Sequence, residues 1–274
     1  MRLKIFFIIV FFIGFHSLVS SQTADEYFNL GQAKFKLKEY KAAIVYYTKA
    51  TEVNNKYTLA YYYRGLSKAN IEEFENAIED LTKAVTLDPK LEEGYYIRGL
   101  SKLALQDDEK AIEDFSKAIK LAPSLTGAYY YRAACKGNLS DTKSAIDDYT
   151  EVIRLEPKNM DAHYNRAYLF AILQNYRAAI SDYTKVLDSS PGQVSAYLNR
   201  SLCKAKLNDT TGANSDLRRA TELNKKEVSA YYNSIALNLN AGQKNVGGID
   251  KRDGTEEQAR ARALEGIIKY SNKK

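Results

Sequence analysis

Five arginines each stand 16 residues ahead of an aspartate: Arg64 and Asp80, Arg98 and Asp114, Arg132 and Asp148, Arg166 and Asp182, Arg200 and Asp216. Two kinds of chemistry fit such pairs. Exposed, they would form a charged ladder for an ionic ligand. Turned inward, they would be planar bidentate contacts tying one helix to another, a task suited to a guanidinium. The inward reading is preferred, because the pairs recur in step with the rest of the chain. Other reactive residue types are sparse. His163 is the one histidine beyond residue 21, and a Ser–His–acid set could be built only around it. Cys135 and Cys203 are the only cysteines and lie 68 residues apart. Packed helices are about 8–10 Å apart, and a disulfide needs Cα atoms within about 7 Å, so both are expected as small buried thiols. The segment GGIDKRDG at 247–254 lacks the spacing of either phosphate-binding loop. Without a His–Cys cluster of metal-ligand spacing, no metal, no cofactor and no enzyme activity are expected.

The elements that position these residues follow one period. The four prolines, Pro89, Pro123, Pro157 and Pro191, are 34 residues apart. The five arginines keep that step, as do Gly31, Gly65, Gly99, Ala133, Ala167 and Ser201, and Ala43, Ala77, Ala111, Ala145, Ala179 and Ala213. A fixed period of this size marks a repeat architecture. In the unit from Tyr61 to Pro89, the residues Tyr61, Arg64, Gly65, Ala77, Leu81 and Pro89 take the places of the tetratricopeptide pattern. The unit resembles a tetratricopeptide repeat, with Tyr for the usual Trp and Arg for the usual Leu. The resemblance covers residues 24–239. It implies an all-α, right-handed superhelical solenoid of antiparallel helix pairs, with six full repeats and an interrupted seventh.

Repeat 1 is expected as a helix over 25–38 and another over 40–53, and repeats 2 to 6 begin near Thr58, Glu92, Thr126, Met160 and Val194. Phe74, Ala77, Ile78, Leu81, Ala84 and Val85 form one apolar helix face. Each proline ends its unit. The recurrent glycines disfavour helix, so their spacing predicts close approach of the paired helix. One pair cannot bury its apolar face alone, and stacking does. The domain reading is a signal peptide at 1–21, a solenoid at 22–240, a glycine-containing loop at 241–254, and a C-terminal capping helix and tail at 255–274. Thr255 to Gln258 reads as a capping box, and Ala259, Ala263, Ile267 and Tyr270 follow on one face. Ala263 comes 50 residues after Ala213, one period and 16 more. The helix is therefore either the delayed second half of repeat 7 or a loosely attached cap.

The family resemblance also implies a site. In tetratricopeptide folds the first helix of each unit lines the concave groove. One position of that helix carries Phe28, Tyr62, Tyr96, Tyr130, Tyr164, Leu198 and Tyr232, and Tyr168 adds a ring one turn after Tyr164. Tyrosine has an apolar body and a polar tip and is enriched at interfaces. These eight residues are the groove candidates, the alternative being that they pack against the next repeat. The Lys and Asn with which some relatives clamp a C-terminal carboxylate are replaced by Phe28 and Gln32, or Tyr62 and Leu66, so that activity is not expected.

Charge and targeting narrow the function. The formal charge is +6. Arg2 and Lys4 belong to the leader, and residues 241–274 hold eight Lys or Arg against five Asp or Glu, which leaves the repeats near neutral. No basic stripe for nucleic acid results. Basic residues 2 and 4, an apolar run over 5–15 and small residues Val19 and Ser21 read as a secretory signal peptide. The 15 uncharged residues 5–19 fall short of the roughly 20 of a membrane span, so no stable span is expected after cleavage. The location expected is periplasmic or secreted in a bacterium, and lumenal or extracellular in a eukaryote. The function expected is an exported, non-catalytic interaction scaffold that holds a peptide or helical segment of another protein in its groove. A glycan- or cell-wall-binding module using the tyrosines, and a self-assembling structural protein, are the other readings.

Overall fold

The computed structural model describes residues 22–240 and 256–272. The expected signal peptide, the 241–254 loop and Thr255 of the expected capping box lie outside the described residues. Among the described residues there are thirteen helices and no strand. They are α1 (Ala24–Lys36), α2 (Tyr40–Val53), α3 (Thr58–Asn70), α4 (Phe74–Leu87), α5 (Glu92–Ala104), α6 (Asp108–Leu121), α7 (Thr126–Asn138), α8 (Thr142–Leu155), α9 (Met160–Ile172), α10 (Tyr176–Ser189), α11 (Val194–Lys206), α12 (Thr210–Asn240) and α13 (Glu256–Ser271). The first helices of repeats 2 to 6 start where the period places them. Helix α12 is broken at Asn224, whose φ of −159° and ψ of 89° are extended. Its first part completes repeat 6, and its second part is the first helix of repeat 7. No described helix is long and apolar enough to cross a membrane.

The chain forms two compact units. One ends at Leu87 and the other begins at Asp88. In the first unit, α1 and α2, α2 and α3, and α3 and α4 pack in succession. Thr23 caps α1 in a capping box, its hydroxyl accepting from the Glu26 N–H while the Glu26 carboxylate accepts from the Thr23 N–H. Phe28 lies 5.7 Å from Tyr47 and 5.1 Å from Tyr57, ring centre to ring centre. Phe74, Ala77, Leu81 and Ala84 are buried as their helix periodicity requires.

In the second unit α5 to α12 pair and stack in the same way. Gly99 shows why the small position recurs. A Cβ there would lie 2.8 Å from the ring of Phe115 on the paired helix, closer than side chains approach. The turn inside each repeat has a period of its own. Lys38, Glu72, Gln106, Ser140, Gln174 and Asn208, again 34 apart, all have φ between 59° and 65°. In repeats 3 to 6 the next residue caps the second helix, with Asp107, Asp141, Asn175 and Asp209 accepting from the N–H three residues on. A left-handed backbone favours glycine, yet none of the six is glycine. Gln106→Gly is therefore expected to raise stability by up to about 1 kcal/mol. A rise in urea midpoint checks this, and a fall would show that the Gln106 side chain contributes more than its backbone strain costs.

Candidate functional site

The arginines form an inward ladder. In repeats 2 to 6 each arginine donates from Nε and Nη2 to both oxygens of its aspartate on the paired helix, at 2.5–2.9 Å. For four of them Nη1 reaches a hydroxyl on the second helix of the preceding repeat: Thr48 and Thr51 for Arg64, Ser116 for Arg132, Thr150 for Arg166 and Thr184 for Arg200. The five aspartates are only 2–5% exposed. This is a structural contact between helices, with no face free for an ionic ligand.

A lysine adds a second cation to four of the five sites. Lys68, Lys102, Lys136 and Lys204, four residues after the arginine, lie 2.7–2.8 Å from the aspartate. A tyrosine three residues before the arginine lies under the guanidinium, as Tyr61, Tyr95, Tyr129 and Tyr197 do, at 5.2–5.6 Å. Repeat 5 exchanges the two roles. His163, in the tyrosine's place, donates from Nδ1 to Asp182 at 2.8 Å. Phe170, in the lysine's place, puts its ring 5.7 Å from Arg166. His163 thus takes the lysine's place as a buried hydrogen-bond donor to the aspartate. Cys135 and Cys203 are both free and buried, and burial pushes the Cys203 thiol up to about 12.

The eight groove candidates separate by environment. Tyr62, Tyr96, Tyr164 and Leu198 are 1–4% exposed. They offer no face to a ligand in this state, because the helix packing uses the rings expected to line a groove. Phe28, Tyr130 and Tyr168 are partly buried, and Tyr232 is exposed. Asparagines that went unnoticed in the sequence hold two of the tyrosines between repeats. Asn165 donates to the Tyr130 hydroxyl at 3.0 Å, and Asn199 to that of Tyr164 at 2.9 Å. The Tyr231 hydroxyl donates to Asn199 in turn, at 3.0 Å. Asn165 and Asn199 are one period apart, which was the available signal.

The C-terminal helix has an unexpected place. Helix α13 packs on α5, the first helix of repeat 3. Tyr270 lies 5.5 Å from Tyr96, ring centre to ring centre. Gly266 sits against Tyr131 of α7, where an added Cβ would be 2.7 Å from the tyrosine hydroxyl oxygen. Ala263 and Ile267 are fully buried. The described contacts of α13 therefore run to repeats 3 and 4, and not to the open end of the stack where a delayed half of repeat 7 would sit. The helix covers the face that the first helices of these repeats present.

Beside α13 a cavity of about 350 Å³ remains, lined by Tyr96, Thr126, Tyr130, Glu156, Asp161 and Arg262 among others. Burial pushes the Tyr130 phenol up to about 12, and the Arg262 charge opposes that push. Burial likewise raises the Asp108 carboxyl, opposed first by hydrogen bonds from Cys135 and Asn138 and then by the Arg262 charge. Arg262 shares the cavity lining with Glu156 and Asp161. Among the described residues no three His, Cys, Asp or Glu side chains gather as metal ligands.

Tetratricopeptide repeat models match residues 24–57, 59–91, 92–125 and 137–194, together more than half of the chain. The chain belongs to the tetratricopeptide repeat family. Its helix pairs are the tetratricopeptide unit, and their stacking is that of a tetratricopeptide solenoid. Solved tetratricopeptide structures share the fold. YrrB, described as a tetratricopeptide protein with an unusual peptide-binding site, is 20% identical with a TM-score of 0.63, over 69% of this chain and 97% of that one. A MamA protein is 24% identical with a TM-score of 0.59, over 63% of this chain and 94% of that one. PilF of Pseudomonas aeruginosa is 17% identical with a TM-score of 0.62, over 77% and 97%. At these identities the likeness concerns the fold alone. No curated protein matches the sequence.

Proposed function

We propose that this tetratricopeptide protein is an exported, non-catalytic scaffold that holds a helical segment of a partner protein on the first-helix face of repeats 3 and 4. The observation that carries the reading is that this face already accepts an amphipathic helix, α13, through Tyr96, Tyr131 and Ile267. Helix-in-groove recognition relies on such a face, read by anchors at i, i+3, i+4 and i+7. The peptide-binding site ascribed to YrrB points the same way. Sugar stacking is less well supported, because the rings of Tyr62, Tyr96 and Tyr164 are buried.

A photo-crosslinking amino acid at Asp161, on the cavity rim, and another at Glu113, exposed on a second helix, test the binding face. A partner joined from position 161 and not from 113 is the expected result. Equal capture from both would move the interaction off this face. Export rests on Arg2, Lys4 and the apolar run that follows them. The expected mass of the purified protein lacks residues 1–21, and retention of the full leader would contradict it.

A further inference from the structure

Charged side chains of the repeats and of α13 share one cavity lining. Glu156 and Asp161 belong to the repeats, whereas Arg262 and Lys269 lie on α13, with Lys269 paired to Glu265 of its own helix at 2.6 Å. Glu265, also on α13, is the one acid it adds to the cavity lining. The stripe that α13 turns to the repeats is Ala263, Gly266, Ile267 and the partly buried Tyr270, at i, i+3, i+4 and i+7 of one helix. Gly266 is demanded by distance, since any side chain there would meet Tyr131. This constellation is a fitted helix site, with a small residue where the helix crosses α7 and a tyrosine where it meets α5. It is occupied by the chain's own segment.

That segment is joined to the repeats by the 15 residues 241–255. A tethered ligand meets its site at an effective concentration on the order of millimolar. A free helix of equal intrinsic affinity therefore competes poorly until it is abundant or α13 is drawn away. We propose that α13 is an intramolecular competitor for this face, and that the face selects an amphipathic partner helix with a small–x–x–small–aliphatic–x–x–tyrosine stripe. This inference rests on the groove-binding reading above and gives it a ligand class and a threshold.

The test uses the full chain and a fluorescent synthetic peptide of residues 255–272, followed by anisotropy. In a Gly266→Leu chain, α13 cannot seat. That chain is expected to bind the peptide at least about tenfold more tightly than the wild type does. A peptide carrying the same Gly266→Leu change is expected to bind neither chain. A second arm leaves every residue of the repeats and of α13 unchanged. A protease site is placed at residues 247–248 and cut, and on dilution the cut chain is expected to release α13 and take up the labelled peptide. This arm guards against a folding defect in the substituted chain.

Equal binding by wild-type and opened chains overturns the competitor. So does a wild-type chain that sediments as a dimer and loses that state with Gly266→Leu, since α13 would then belong to a second copy. Binding to no form of the chain, with position 161 still capturing a partner, overturns the competitor and leaves the groove reading in place.

Discussion

An Arg132→Leu chain is expected to lose about 3–5 kcal/mol of stability, the usual result of removing one member of a buried ion pair. Asp148 is 4% exposed and receives Nε and Nη2 of Arg132 at 2.9 and 2.7 Å. Without the guanidinium, Asp148 keeps Lys136 at 2.7 Å but loses its bidentate partner. The Ser116 hydroxyl loses its link to Arg132 as well, which loosens the junction between repeats 3 and 4. In a stacked array such a loss falls on one unit and its neighbour, so the urea transition should broaden as well as shift. An Arg132→Leu/Lys136→Leu/Asp148→Leu chain should recover part of the loss, because no member of the buried cluster is then left without its partner. If Arg132→Leu kept its midpoint and lost a binding partner, the ladder would be a binding surface and the structural assignment would fall.

The second large effect concerns repeat 5. His163→Tyr leaves Asp182 with Arg166 as its remaining charged partner, and a cost of about 1–3 kcal/mol is expected for the lost buried hydrogen bond. Phe170→Lys removes the ring beside Arg166 and brings a cation toward an aspartate already bonded to His163. It too should destabilise. Together, the two changes rebuild the arrangement of repeat 4, where Tyr129 lies by Arg132 and Lys136 bonds Asp148. The double variant should therefore be more stable than the sum of the singles by about 1 kcal/mol or more. Additive losses in a four-member denaturation cycle would show that the two substitutions in repeat 5 are independent.

Much of the fold was legible because it was written six times. Pro89, Pro123, Pro157 and Pro191 set the phase, and α3, α5, α7, α9 and α11 begin where that phase puts them. The close approach at Gly99 and the burial of His163 followed from position in the repeat. Two things did not. The left-handed residues Lys38, Glu72, Gln106, Ser140, Gln174 and Asn208 share a backbone conformation and almost no side-chain chemistry, so nothing in their types marks the turn. The place of α13 was hidden for another reason. Its stripe declares an amphipathic helix, but the contact of Tyr270 with Tyr96 spans the repeats between, and periodicity carries no information on which face a helix beyond the array will choose. The groove row carries the same ambiguity. A tyrosine on the first helix can face a ligand or the neighbouring repeat, and Asn199 decides the matter for Tyr164 by bonding its hydroxyl.

The central claim is that the first-helix face of repeats 3 and 4 is a site for a helix, filled here by α13. The measurement that tests it most directly is intramolecular crosslinking with a photo-reactive residue at position 270 in dilute protein, mapped by mass spectrometry. The account predicts that position 270 joins to residues of α5 within one chain, around Tyr96. Joining instead to residues 225–240 of α12 would make α13 a cap on the last repeat, and the proposed face would have no demonstrated helix to bind.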